Sequence, residues 1–231
     1  MAHLAHYREA HPAPFRVTHW VNLISMILLI FTGFCIHFPF FPEFMGMARG
    51  VHIFFGFVIM LNVIVRIVLA FFVKSAPAAG TREVVTDYKT WLPQKDNRHQ
   101  LGAWIKYYLF LKKDHPLSAK LGVPQKLSYL AIPILIAFMF FTGLMLWPPT
   151  ANTPAIEACI NFFGGAMSVR IIHYFMMYVF ICFTLLHAYL ANIEGLAPTK
   201  LMFFGIEHGG LTYDMKTHNI SGEDNLGHET H

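Results

Sequence analysis

The chain has 231 residues, of which 55% are hydrophobic and only 13% charged, with 17 basic side chains, 13 acidic ones and 14 histidines. A soluble domain carries about 25% charged residues, so this deficit, with a mean hydropathy of +0.48, points to lipid as the solvent and against an ordinary cytosolic domain. The formal charge of +4 is no nucleic-acid signature, because the basic residues are segregated along the chain as a membrane protein segregates them.

The polar N-terminus leads directly into a long apolar run. It shows no small-residue cleavage site after a short apolar core, so the run is read as a retained helix and not as a cleaved signal. Crossing a hydrocarbon layer of ~30 Å takes roughly 20 apolar residues, and four segments qualify, at about 18–38, 50–73, 128–147 and 169–192. The first ends at Pro39. Asn62 and Arg66 interrupt the second, Pro148 and Pro149 close the third, and Gly195 and Pro198 follow the fourth. Backbone groups in lipid must bond within their own segment, which makes all four helical. The predicted class is therefore all-α, an integral membrane four-helix bundle occupying residues 1–195, followed by a polar tail over 196–231.

Orientation follows from counting Lys and Arg. The connection 74–127 carries ten, whereas 39–49 and 148–168 together carry one, Arg49. The long middle loop is thus assigned to the cytoplasm together with both termini. Its segment AWIKYYLFLKK (103–113) mixes aromatics with lysines. An amphipathic helix in the membrane interface and a solvated linker both remain open for it. The tail is expected to be irregular or partner-bound, with His208, His218, His228 and His231 on the surface, as are His99 and His115 in the loop.

Two short motifs recur. Phe-Thr-Gly stands at 31–33 and again at 141–143, and an Arg-x-x-His unit opens three of the helices: Arg16–His19, Arg49–His52 and Arg170–His173. A fourth histidine, His187, follows His173 by fourteen residues. At ~100° and ~1.5 Å per residue this returns to nearly the same helix face about 21 Å further along. The fourth helix thus presents one imidazole near each side of the membrane. The first helix starts on the cytoplasmic side, so His19 shares a level with His187. The second starts on the outer side, so His52 shares a level with His173. Two imidazoles per level is the number that axially ligates one haem iron, and two haem b groups, one per side, follow. In each Arg-x-x-His the arginine (Arg16, Arg49, Arg170) lies one turn nearer water, suited to haem propionates. Gly33, Gly56 and Gly143 lie where a bulky side chain would obstruct a macrocycle. Three dispersed cysteines, with no CxxC and no CxxCH, argue against an iron–sulfur cluster or a covalently attached haem on this chain. His37, close to a helix end, is read as interfacial, and the methionines as core filler. The competing classes are a haem-free proton-relay transporter and a purely structural anchor.

The stretch RVTHWVNLISMILLIFTG (16–33) resembles the first-helix motif of the membrane b-type cytochrome subunits of nickel–iron hydrogenases, and RIIHYFMMYVFICFTLLH (170–187) resembles their second. The segment 106–130 is similar to the region before helix three in those subunits and in formate dehydrogenase gamma subunits. The likeness runs to about residue 195. It implies a diheme relay in a prokaryotic cytoplasmic membrane, between extracytoplasmic iron–sulfur and catalytic subunits and a quinone, menaquinone or ubiquinone. His52 and His173 would ligate the outer haem, and His19 and His187 the inner one. The primary substrate chemistry would then lie on another chain. The gamma subunit of a formate dehydrogenase or thiosulfate reductase and a stand-alone cytochrome b561 are the nearer alternatives. An Asn-x-x-Gln-Lys pattern common in the formate dehydrogenase relatives is broken by Gly122, with Gln125 and Lys126 retained. Gln125, Lys126 and Tyr129, at the start of helix three, are the expected quinone residues.

Overall fold

The computed structural model describes residues 11–77, 84–92, 98–112, 121–192, 196–206, 212–214 and 219–221. His115 and the tail histidines at 208, 218, 228 and 231 lie outside the described residues. The chain is mostly helical. In order come α1 (Ala13–His37), a 3-10 turn, α2 (Met45–Phe72), the strands β1 (Lys74–Pro77) and β2 (Val84–Thr86), the short α3 (Tyr88–Trp91), α4 (Leu101–Tyr108) and α5 (Val123–Leu146). Then follow α6 (Pro148–Ala151), α7 (Pro154–Phe162), α8 (Ala166–Asn192), α9 (Ala197–Phe204), β3 (Thr212–Asp214) and β4 (Asn219–Ser221). Helices α1, α2, α5 and α8 are each long and apolar enough to cross a membrane. All four begin before the segments marked out by hydropathy, so Arg16, Arg49 and Lys126 lie within helix rather than ahead of it. A helix does not stop where the hydrocarbon does, because its first turns continue into the headgroup layer.

The chain divides into two compact units. One comprises Val17–Val65 and Pro133–Ile193, the greater part of the four long helices. Its polarity is inverted relative to a soluble domain. Thr18, Ser25, Thr32, Asn62 and Thr142 are buried, while Phe31, Phe54, Leu61 and Phe175 are more than 60% exposed. Large apolar side chains directed outward and small polar ones held inward are what a lipid solvent selects. Asn62 shows how an inward amide is satisfied: its Nδ2 donates to the Thr18 carbonyl and to Asn22 Oδ1, each at 2.7 Å. Gly164 and Gly165, at φ +86° and +98°, form the turn from α7 into α8.

The second unit comprises Met1–Arg16, Arg66–Ile132 and Glu194–His231. Part of the middle connection is organised around Asp87. Strands β1 and β2 pair antiparallel with a bulge near Lys74. They deliver the fully buried Asp87 to the Arg66 Nη2 at 2.6 Å, with Ser75 Oγ donating to the other carboxylate oxygen at 2.6 Å and Trp91 Nε1 donating at 2.9 Å. The Arg66 guanidinium also lies 3.8 Å over the Phe15 ring. Residues 101–108 of the aromatic–lysine segment form α4. Trp104 is buried on one side, while Ile105, Leu109, Phe110 and Leu111 are exposed beyond it. In the tail, β3 and β4 form a second small antiparallel pair.

Candidate functional site

Four histidines come together as two pairs. His52, on the second turn of α2, and His173, on the second turn of α8, have ring centroids 6.2 Å apart at an interplanar angle of 64°. His19 on α1 and His187 near the end of α8 stand 6.4 Å apart at 49°. Both pairs lie within the unit built of the long helices.

The spacing leaves room for a metal ion between the rings. An imidazole nitrogen sits about 2 Å from a transition metal, and each nitrogen lies about 1.1 Å from its ring centre, so two trans imidazoles on one iron have centroids about 6.2 Å apart. Direct ring contacts in the protein run from the 3.7 Å stack of His37 on Tyr174 to 6.4 Å between Phe138 and Phe163, so the spacing admits an iron without requiring one. Among the described residues no group of three or more His, Cys, Asp or Glu is placed to hold a metal ion. A bare ion held by protein alone takes three or four such ligands. A haem iron takes four from its macrocycle and needs two imidazoles, so the donor set fits haem and does not fit a zinc cage.

A threonine hydroxyl stands behind each of the His52 and His173 rings. Thr32 Oγ1 donates its one proton to the Leu28 carbonyl at 2.6 Å and stands 2.9 Å from His52 Nδ1. Thr142 Oγ1 donates to the Met139 carbonyl at 3.0 Å and stands 2.8 Å from His173 Nδ1. With each hydroxyl donating to its helix carbonyl, Nδ1 carries the hydrogen and Nε2 keeps the lone pair a metal requires; the Oγ–Nδ1 contacts are equally compatible with the reverse direction. These threonines belong to the two Phe-Thr-Gly motifs. Each motif makes the same contact to the histidine of the helix that follows it in its pair. The repeat is visible in the sequence, whereas the contact made by its threonine is signalled there only by the pairing of each Phe-Thr-Gly helix with an Arg-x-x-His helix. The glycine of each motif lies against the same ring. A Cβ on Gly33 would come within 3.6 Å of His52 Cε1 and 3.4 Å of Met177 Sδ, and one on Gly143 within 3.6 Å of His173 Cε1. A Cβ on Gly56 would meet nothing within 4 Å.

Surroundings differ at the other pair. Nδ1 of His19 is buried with no hydrogen-bond partner among the described residues. His187 is exposed and stacks on Phe183, centroids 6.0 Å apart and planes at 10°.

Arg49 and Arg170 are exposed, each one turn before its histidine. Arg170 also lines a cavity of about 450 Å³ with Glu157, Asn152 and Asn161 at the ends of α5 and α8. Arg16 belongs to the second unit, where its guanidinium fills the space beside Gly205, so that no Cβ could be accommodated there.

Gln125, Lys126 and Tyr129 are all near the start of α5, with specific partners. Gln125 Oε1 accepts from the Gly122 N–H at 2.7 Å, a cap on the helix start. Lys126 is buried and donates to the Leu92 carbonyl at 3.0 Å. The Tyr129 ring lies 5.5 Å from Trp91 and 5.7 Å from the Arg66 guanidinium. Gly122 has a local cause: an added Cβ would be 2.9 Å from the Trp104 ring, so an asparagine there would require the indole to move.

Comparison with known proteins gives a consistent picture. A family model described as prokaryotic cytochrome b561 matches residues 10–205. A protein of Azotobacter chroococcum mcd 1 named "Probable Ni/Fe-hydrogenase B-type cytochrome subunit" is 28% identical over 214 residues, 82% of each chain. One of the same name from Rhizobium leguminosarum bv. viciae is 25% identical over 202 residues, 80% of each chain. The "Probable Ni/Fe-hydrogenase 1 B-type cytochrome subunit" of Escherichia coli K12 is 24% identical over 208 residues, 83% of this chain and 84% of that one.

Proposed function

The chain belongs to the prokaryotic cytochrome b561 family, and from that membership we propose that it is a diheme membrane-anchor subunit that passes electrons between an extracytoplasmic nickel–iron hydrogenase and the quinone pool. The observation that carries this reading is the pair of imidazole pairs at 6.2 and 6.4 Å, a spacing suited to bis-imidazole iron at two levels. The hydrogenase partner is suggested by the names of the relatives, which align over about four-fifths of their length. The excess of Lys and Arg in 74–127 favours a cytoplasmic location for that stretch and for both termini, in a prokaryotic cytoplasmic membrane. His52 and His173 then face the outer leaflet, and His19 and His187 the inner one.

Haem b held at each pair would supply a one-electron ferric–ferrous couple. The chain's own residues do the rest. The imidazoles would hold the iron, Thr32 and Thr142 would bond to the free nitrogen of two of them, and Arg49 and Arg170 would offer guanidinium groups one turn toward water for propionates, with Arg16 in the matching place before His19. Gly33 and Gly143 keep space open along the His52 and His173 rings, and Gly56 is assigned to space for the macrocycle one turn from His52. Quinone chemistry is assigned to the start of α5, where the Lys126 ammonium and the Tyr129 hydroxyl can donate to a carbonyl oxygen and Gln125 presents its amide at the surface. An iron–sulfur subunit is the expected donor on the outer side.

A reduced-minus-oxidised visible spectrum of the purified chain, with porphyrin quantified per polypeptide, tests the core of this. Two b-type haems per chain are expected, and none in a folded preparation overturns the reading. A quinone-analogue inhibitor should perturb only the haem of the His19/His187 pair; a shift confined to the other haem would refute the quinone placement. Co-purification with hydrogenase subunits tests the partner.

A further inference from the structure

The two imidazole pairs share a spacing and differ in what stands behind the rings. In the tautomer that frees Nε2 for iron, the chain Nδ1–H···Oγ–H···O=C runs behind His52 through Thr32 to the Leu28 carbonyl. Behind His173 the same chain runs through Thr142 to the Met139 carbonyl. A hydroxyl that donates to a carbonyl is polarised into a better acceptor. It therefore draws the Nδ1 hydrogen and leaves the opposite ring nitrogen richer in electrons. Partners of this kind raise ligand basicity and orient the ring. At the other pair the described ring contacts of His187 are with His19 and Phe183, and His19 Nδ1 has no partner among the described residues.

We propose that Thr32 and Thr142 are positioning residues that lower the reduction potential of the haem held by His52 and His173, making it the more reducing of the two. The proposal rests on the diheme reading above. A more basic imidazole stabilises ferric iron over ferrous. The electron therefore favours the His19/His187 level, away from the extracytoplasmic donor and toward the expected quinone site. The membrane position of the two pairs would otherwise leave that direction open. Both threonines act in the same sense, one on each axial ligand of a single iron. Neither touches the iron; each works through the histidine it holds. The placement also explains why Phe-Thr-Gly occurs once in each helix pair: one motif is needed for each ligand of that haem.

The test is a potentiometric titration of the visible spectrum of the full chain in membranes. Thr32→Val and Thr142→Val keep the side-chain shape and remove the hydroxyl, while Thr32→Ser and Thr142→Ser restore it. The wild-type chain should resolve two midpoints. Each valine variant should raise the lower one, and the double variant should change the reduced-to-oxidised ratio of that haem about tenfold at fixed ambient potential, ~59 mV for one electron. The serine variants should return toward the wild-type value. The low-spin ferric resonance of the same haem, which reports the angle between its imidazole planes, should shift with the valine variants, because the rings lose the bond that orients them. Movement of the upper midpoint, or of neither, overturns the proposal. If one valine variant loses the haem, the other single variant gives the decision, since each removes one of two independent bonds. Two haems with unmoved midpoints would sink this inference alone, whereas fewer than two haems in the wild-type chain would sink the diheme reading first.

Discussion

His19 lies thirteen residues before Thr32, and Tyr129 lies thirteen before Thr142; His187 follows His173 by fourteen residues, and Arg66 follows His52 by fourteen. The two helix pairs therefore carry the same register, and Tyr129 with Arg66 occupies the places that His19 with His187 occupies in the other half. One region is a facing imidazole pair 6.4 Å apart. Its counterpart is a guanidinium 5.7 Å from a tyrosine ring, tied to the buried carboxylate of Asp87. The comparison teaches that the repeated backbone frame does not itself specify a metal site. A few side-chain identities decide whether a position presents an imidazole or locks the chain. Replacing two imidazoles by a phenol and a guanidinium removes every nitrogen lone pair that could bind iron.

The widest separation between the two regions should appear on deleting the functional atom in each. His19→Ala or His187→Ala should lower porphyrin from two per chain to one, and His52→Ala or His173→Ala should do the same at the other level. Each change should also abolish electron transfer to quinone in the assembled complex. Arg66→Ala should leave two porphyrins. If it removes one while the chain remains folded, the two regions are not separate in function and Arg66 takes part in holding a haem.

A smaller effect should run in the opposite direction on stability. Asp87 has no exposed surface, and the Arg66 side chain is 15% exposed, so removing one partner leaves a buried charge uncompensated. Breaking such a pair costs about 3–5 kcal/mol, and Asp87→Ala should lower the unfolding midpoint in detergent by an amount of that order, with haem content unchanged at the melting onset. Replacing both groups together, as Arg66→Met with Asp87→Leu, should cost less than either single change, because no lone charge is left behind. A double variant as damaging as the sum of its parts would show that the pair is not the organising contact.

The four spans and the four imidazoles were legible in the sequence for simple reasons. Lipid demands long apolar helices, and a histidine on such a helix stands out against its neighbours. The pairing of levels followed from helix direction and the rise per residue. The contact of Thr32 and Thr142 with the imidazoles was not legible, because threonine is also an ordinary interior residue of membrane helices, and only the Oγ–Nδ1 distances separate the two uses. Asp87 was missed for a related reason. It lies in a polar connection where an acidic residue is unremarkable, and its burial depends on the pairing of β1 with β2, two strands of four and three residues that carry almost no hydropathy pattern. The capping role of Gln125 was hidden because the predicted span began after it.

The finest distinction concerns the glycines beside the imidazoles. In a helix interior an alanine is favoured over glycine by about 0.8–1.0 kcal/mol, so the sign of each substitution depends on what the new carbon meets. On Gly56 it meets nothing within 4 Å. Gly56→Ala should therefore raise the unfolding midpoint slightly, with both haems retained. On Gly33 it meets Met177 Sδ at 3.4 Å and His52 Cε1 at 3.6 Å, ordinary contacts that a flexible thioether can relax, so Gly33→Ala should be close to neutral. Leucine separates the positions further. At Gly33 its branch has to displace the Met177 side chain or the His52 ring, and a displaced ring no longer faces His173 across 6.2 Å. Gly33→Leu should thus lower occupancy of that haem alone, read as the loss of one spectral component with the His19/His187 component intact. Gly56→Leu reads the neighbouring space directly. Occupancy of the same haem should fall, because the open volume beside Gly56 is assigned to the macrocycle; full occupancy would assign that volume to lipid.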